Sequence, residues 1–345
     1  MECATGTAAL DLHPGDAGEA GEAGEADHAA IGVDVGGTKT AIGLIDAATL
    51  TLLAKTVIAT GRERGGEAVL RDVEEQVRSL GSHARALGQR VAGVGVVVPE
   101  NVSVDGRITS SAVMPGWDKL PVAERLGAPA LAPAAVDSDV RAAALAEARL
   151  GAGRDYGFHA FMTISTGISY CAVIGGRPFT GAHGGALHLG TSVLALLPDG
   201  TEVQLERLAS GSALVERYAA KGGSATRAEE VLAAAAAGDE AARDVVDSGA
   251  RALGLGIALL LNMLDPEAVI TGGGLGSADT EYWSSARRWA RHYAHDHAKP
   301  TPVVRGRLGP DAGVIGAALT GLLAGQGSGA VNDNGHGTNT TQRKK

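Results

Sequence analysis

The segment Ile31–Asp46, IGVDVGGTKTAIGLID, sets the tightest limit on what this chain can fold into. An apolar run carrying one acid, Ile31 to Val35, meets the small-residue turn Gly36-Gly37-Thr38-Lys39-Thr40, and a second apolar run, Ala41 to Ile45, follows. This pattern predicts strand, tight turn, strand. Two glycines allow the backbone to come close to a ligand. Thr38 supplies a hydroxyl, Lys39 a cation, and the N–H groups of the turn can converge on one anion. These are the parts of a phosphate cradle, and Asp34, just before it, is placed to hold Mg²⁺ through water. An ordinary Gly-Gly hairpin fits the same residues. The spacing of a Walker A loop is missing, and the turn does not open a helix as a dinucleotide-binding G-x-G-x-x-G would.

The chain of 345 residues is long enough for two domains and a large core, and 45% hydrophobic with 20% charged residues predicts a folded globular protein. Aromatics are only 3%, so that core is built from Val, Leu, Ile and Ala. A net charge of −9 argues against nucleic acid as the main partner, because phosphate backbones require a basic footprint. Cys3 and Cys171 are the only cysteines, which excludes a disulfide framework and a multi-Cys zinc site. They fit a reducing cytosol, and with no membrane-spanning stretch or signal peptide a cytoplasmic protein is expected.

Residues 1–30 contain the acidic repeat Gly15–Ala26 and read as a disordered tail. Strands are expected at 50–59 and at 91–98, with a helix over 67–87 between them and a short helix over 118–126 after them. Val136 ends another strand, Asp137-Ser138-Asp139 follows, and 140–150 is a strong helix. Acids at such a junction cap the helix or project one carboxylate into a cleft as a general base. Residues 158–174 repeat the opening plan, with Ser165-Thr166-Gly167 as the turn, which suggests two related halves facing a cleft, each with one phosphate-binding turn. Helices are expected over 206–218, twice within 228–264, over 282–297 and over 314–323, with short strands at 268–271 and 302–305. Gly272-Gly273-Gly274 follows the first of these strands and suits close backbone approach to a ligand. Arg287, Arg288 and Arg291 form a basic helix face, read as solvated rather than nucleic-acid-binding.

In this order, Asp34-Val35-Gly36-Gly37-Thr38-Lys39, Asp139 with Ala142 to Glu147, Gly151-Ala152-Gly153, Glu206 with Leu208-Ala209-Ser210-Gly211, Gly272 to Leu275, and Leu308 to Gly313 with Ile315 to Ala318 resemble the ROK family of sugar kinases and repressors. The likeness runs over about residues 31–323. It implies an α/β, actin-like ATPase (ribonuclease H-like) fold of two lobes and an interdomain cleft. The smaller lobe would comprise 31–138 with 311–325, the larger 139–310, and 326–345 a disordered tail. It further implies ATP and Mg²⁺, a sugar in the cleft, Asp139 as general base, and phosphates held by Gly36, Gly37, Thr38, Lys39, Thr166 and Gly167. Gly273 and Gly274 would approach the nucleoside, Glu206 would hydrogen-bond the sugar, and a homodimer is the assembly the resemblance suggests.

The chain also departs from the family pattern. Typical members carry E-N-D at the base, where this chain has Asp137-Ser138-Asp139, and E-x-G-H in the sugar loop, where it has His188-Leu189-Gly190-Thr191. A sugar-binding carboxylate has thus become His188, the zinc-binding histidine has become Thr191, and no cysteine stands near 197–205, so no structural zinc is expected. Ser138, Asp139, His188, Thr191 and Glu206 form the expected sugar-binding set. A pocket with its polar groups changed selects against sugars that leave them unpaired, so a hexose modified as an amino sugar, or a cyclitol, is the expected acceptor class. An ATP-dependent kinase acting on a hexose or amino-hexose, at O6, is the leading reading. A non-catalytic sugar-binding regulator and an interaction scaffold of the same fold are the alternatives.

Overall fold

The computed structural model describes residues 27–326. Strand β1 (His28–Val35) pairs antiparallel with β2 (Lys39–Asp46), which pairs antiparallel with β3 (Leu52–Ala59). Helix α1 (Gly66–Ala86) leads to β4 (Arg90–Val98), and α2 (Val122–Ala130) to β5 (Ala134–Ser138). Both strands run parallel to β1, giving the order β3-β2-β1-β4-β5. Strand β1 begins three residues inside the segment expected to be tail, because His28 to Ala30 continue the ladder on β2 and β4.

Helix α3 (Asp139–Leu150) follows β5 directly. Then come β6 (Phe158–Ile164), β7 (Ile168–Ile174), the short β8 (Arg177–Pro178) and a separate hairpin of β9 (Val193–Leu196) and β10 (Glu202–Gln204). Four helices follow, α4 (Glu206–Ala209), α5 (Gly211–Ala219), α6 (Ala228–Ala237) and α7 (Glu240–Leu264). The chain closes with β11 (Ala268–Gly272), α8 (Gly273–Ser277), α9 (Glu281–Tyr293), β12 (Val303–Arg305) and α10 (Ala312–Gln326). The second large sheet, β8-β7-β6-β11-β12, has the order and strand directions of the first: an antiparallel meander and then two parallel strands. The faint likeness of the two hairpins in sequence is thus a duplicated topology.

Several boundaries differ from the expectation for physical reasons. The short helix starts after Pro121, which occupies its N-cap, and runs to Ala130. The helix expected over 206–218 splits at Ser210, whose hydroxyl accepts from Ala213 N and starts α5 afresh. Helix α9 stops at Tyr293, leaving His295 and His297 in the turn beyond it. No described helix is long and apolar enough to cross a membrane.

The final helix of each half packs with the other half. Helix α10, which follows the second sheet, lies on β1 and β4 of the first, while α3, which follows the first sheet, lies against β7 of the second, and the two helices pack on each other. Strand periodicity explains how this is possible. In β4, Val94, Val96 and Val98 join the cluster under α1 and α2, whereas Gly93, Gly95 and Val97 face α10. A Cβ at Gly95 would stand 1.6 Å from the Ala317 carbonyl, and one at Gly32 would stand 2.0 Å from that of Val314. Helix backbone therefore rests on sheet backbone with no side chain between. Gly316 makes the matching contact to α3, where a Cβ would meet the Ala142 carbonyl at 2.0 Å. Replacing Gly95 with Ala must lift α10 off the sheet. Overpacking of this kind costs about 3 kcal/mol, so urea unfolding of Gly95→Ala should show a clear loss of stability. An unchanged midpoint would contradict this packing.

Candidate active site

Loops at the C-terminal ends of the parallel strands carry the candidate chemistry, the edge where open α/β sheets bind ligands. In β1 the alternation that turns Ala30 and Gly32 toward α10 turns Asp34 the same way. Register places Asp34 beside Val97 and Val97 beside Asp137, a row across β1, β4 and β5. Asp34 meets the first turn of α10, where a Cβ at Gly313 would lie 2.1 Å from its Oδ2. Among the described residues nothing hydrogen-bonds its carboxylate. Lys55 of β3 pairs with Asp311 at 2.5 Å just before that helix.

The first glycine turn is braced from beneath. Gly36 N donates to the Lys39 carbonyl at 2.9 Å, and Thr60 Oγ1 donates to the Gly36 carbonyl at 2.7 Å. Thr38 and Lys39 remain exposed. Asp139 opens α3 half-buried, its Oδ1 accepting from Val140 N at 2.7 Å. Burial first, and then the charge of Asp34, push its carboxyl up to about 7. Burial also raises Asp34, to about 6, against the pull of Lys55. Two carboxylates that disfavour each other's charge thus sit at the joint of the two halves, one poised near neutrality as a general base requires.

The second glycine turn is assembled from three directions. Gly211 N donates to the Ser165 carbonyl at 2.7 Å, docking the turn on α5. Glu206 accepts from Ile168 N at 2.7 Å and lies under Gly167. Gly273, with φ of 77°, packs so closely on β6 that a Cβ would stand 2.6 Å from the Ile164 carbonyl. Thr166, Gly167, Gly273, Gly274 and Glu206 therefore form one group, and Asp34, Gly36, Gly37, Thr38, Lys39 and Asp139 another. No hydrogen bond among the described residues joins the two groups.

The residues expected to bind sugar are arranged less simply. Ser138 is 1% exposed, and its hydroxyl neither caps α3 nor finds any partner among the described residues. His188 and Thr191 are exposed, with His188 Nδ1 3.5 Å from Thr191 Oγ1. His188 also lines an apolar cavity of about 270 Å³ against the end of α7, with Tyr170, Leu187, Leu260 and Met263. The β9–β10 hairpin occupies the stretch where cysteines are missing, and among the described residues no group of three or more His, Cys, Asp or Glu could hold a metal.

Sequence reasoning missed three charged residues that build this site. Glu100, 5% exposed, accepts from Val113 N at 2.5 Å, Met114 N at 2.8 Å and Ala112 N at 3.0 Å, and also from the Ser110 hydroxyl. It fixes the loop after β4, whose Val113 reaches Gly37. Arg141 is buried behind Asp139, and Lys55 answers Asp311. For Glu100 and Arg141 the available signal is a charged residue just after a strand or just after the junction acid, but it does not reveal distant backbone partners.

Two mixed five-stranded sheets of matching topology, with exchanged helices and glycine turns at the strand ends, define the actin-like ATPase class. The ROK family signature matches residues 30–322, and the chain belongs to that family. It is 36% identical over 293 residues to the bifunctional enzyme NanE/NanK of Brucella melitensis, covering 83% of this chain and 52% of that protein, so it spans about half the length of that relative. It is 27% identical over 305 residues to the kanosamine kinase of Amycolatopsis mediterranei, covering 85% and 96% of the two chains. Among solved structures, a ROK hexokinase from Thermus thermophilus superposes with a TM-score of 0.72 at 33% identity, covering 86% of this chain and 98% of that one. A ROK glucokinase from Streptomyces griseus, in complex with glucose and AMPPNP, gives 0.70 at 27% identity, covering 87% and 100%.

The raised carboxyl of Asp139 has a consequence for stability. In the unfolded chain it ionises near 3.8, in the fold near 7, so stability falls as pH rises from about 4 through 7. In chelator-containing buffer, Asp139→Asn should therefore melt several degrees above the wild type at pH 8, and the gain should shrink by pH 5. A gain that does not depend on pH would contradict the burial of this charge.

Proposed function

We propose that this chain is an ATP-dependent sugar kinase that transfers the γ-phosphoryl group to a hydroxyl, O6, of a hexose or amino-hexose, with Asp139 as general base. The observation that carries this reading is Asp139 itself. It is a half-buried carboxyl poised near neutrality, at the joint between two halves that each present a glycine turn at their strand ends. The halves act as two lobes, 31–138 with 311–325 and 139–310, closing on the substrates. A cytoplasmic site of action and a homodimer complete the reading.

In this mechanism Gly36, Gly37, Thr38 and Lys39 hold the triphosphate from one side and Thr166 and Gly167 from the other. Gly273 and Gly274 lie along the nucleoside. Asp34 suits a hydrated Mg²⁺, since its carboxylate accepts no hydrogen bond from the described residues and stands over a glycine that leaves it room. Bound there through water, the ion would neutralise phosphate charge. Asp139 accepts the proton of the attacking hydroxyl, and positioning and charge neutralisation supply the remaining catalysis. Glu206 is held to the second turn by Ile168, so a sugar hydroxyl bonded to it would be fixed relative to the phosphates.

Acceptor choice rests on Ser138, His188 and Thr191. The unpartnered Ser138 hydroxyl is available to an acceptor once a small shift uncovers it, and leaving a buried polar group unpaired is costly enough to give discrimination. The kanosamine kinase relative supports an amino-hexose.

ADP release with ATP·Mg²⁺ should be measured against glucose, mannose, glucosamine, 3-amino-3-deoxyglucose, N-acetylmannosamine and cyclitols. One amino-hexose should turn over faster than glucose. Asp139→Asn should bind both substrates and lose turnover by about 100-fold or more. Full activity of that variant would remove Asp139 from the role, and silence of the wild type across the panel would favour a sugar-binding regulator. Dialysis against a chelator selective for zinc should leave the melting temperature unchanged, and a marked drop would reveal a structural metal.

A further inference from the structure

Arg141 is buried to 2% exposure two residues beyond Asp139. Its Nε donates to Asp137 Oδ1 at 2.5 Å, its Nη1 to the Gly184 carbonyl at 2.7 Å and its Nη2 to the Val102 carbonyl at 2.9 Å. These partners lie on three separate segments. Asp137 ends β5. Val102 belongs to the loop after β4 that Glu100 shapes. Gly184 belongs to the loop of the second half that leads to His188. The two loops also touch directly, since a Cβ at Gly184, whose φ is 83°, would stand 2.2 Å from the Val102 carbonyl.

A guanidinium removed from water is costly, and a well-packed apolar side chain would commonly be as stable in its place. What Arg offers is geometry, a rigid fork whose donors reach several acceptors at once. Here the fork takes a carboxylate and two carbonyls from both halves of the protein, at the first turn of the helix that begins with Asp139.

We propose that Arg141 is a positioning residue that clamps the 99–116 loop of the first half and the 179–192 loop of the second onto the strand–helix junction bearing Asp139. The clamp registers the base against the acceptor sugar when the two halves close. It rests on Asp139 being the base and on the His188 loop facing the sugar. Arg141 touches neither reactant; it acts through the backbone of both loops and through Asp137. The glycine turns are hydrogen-bonded by other residues, namely Thr60, Glu206 and Gly211, and the clamped loop meets the first of them through Val113 at Gly37, so ATP binding depends on the clamp less than sugar binding does.

Steady-state kinetics on full-length Arg141→Gln and Arg141→Lys, with the best acceptor from the sugar panel, test this. Arg141→Gln should raise KM for the sugar by about tenfold and lower kcat by about 100-fold, the scale of a misplaced reacting group. KM for ATP should stay within about twofold of the wild type. Arg141→Lys keeps the charge beside Asp137 but cannot fork onto both carbonyls, so it should fold and show an intermediate defect. Millimolar guanidinium should restore part of the activity of Arg141→Ala, and methylammonium should restore less. Wild-type sugar kinetics in a folded Arg141→Gln would overturn the proposal. So would KM values for sugar and ATP that rise together without rescue, because that pattern marks a general loss of structure. An Asp139→Asn protein that still turns over would defeat the base assignment, whereas a dead Asp139→Asn beside a fully active Arg141→Gln would defeat only the clamp.

Discussion

Backbone-to-backbone contact between α10 and the first sheet is the constraint on which the site depends. Because Gly32, Gly93 and Gly95 carry no side chains, the helix sinks onto the strands, and its first turn comes to rest against Asp34. Gly316 lets α3 approach from the other side, and α3 begins with Asp139. Val97, Ala142 and Ala317 form a small buried cluster between one strand and the two crossing helices. The same small-residue joint thus brings two acids from different elements into electrostatic contact and links the two halves.

Charged residues finish what the glycines begin. Glu147, 1% exposed on α3, accepts from Ala152 N at 2.8 Å, Arg307 N at 3.1 Å and Leu308 N at 2.9 Å, so one carboxylate ties the exit of α3 to the approach to α10. Glu100 and Arg141 do the same for the loops packed beside the β5–α3 junction. Each is a buried charge satisfied by several backbone groups, the condition under which burial is tolerable. The raised carboxyl of Asp139 is the opposite case, a charge left short of partners at the position where the proposed mechanism places its base.

Much of this was legible in the residues. The two strand–turn–strand segments, the acid at the β5–α3 junction and the triple glycine each stand where the pattern put them, because alternation, turn chemistry and helix propensity are local properties. The topological identity of the two halves was nearly invisible, since it lies in strand order rather than in shared residues. The purpose of Gly93 and Gly95 was hidden too, because VAGVGVVV reads simply as a buried strand until α10 is laid on it. The Ser138 hydroxyl stands at the N-cap of α3 yet finds no hydrogen-bond partner among the described residues, which the sequence does not reveal. Arg141 and Glu100 could not be read as clamps, since their partners lie up to 43 residues away in the chain.

The most direct test of the account is a crystal structure with Mg²⁺, a non-hydrolysable ATP analogue and the sugar that turns over. The triphosphate should lie between the Gly36–Lys39 turn and the Thr166–Gly167 turn, with the acceptor hydroxyl about 3 Å from the Asp139 carboxylate. A triphosphate bound away from either turn, or an acceptor hydroxyl facing some other residue, would contradict it.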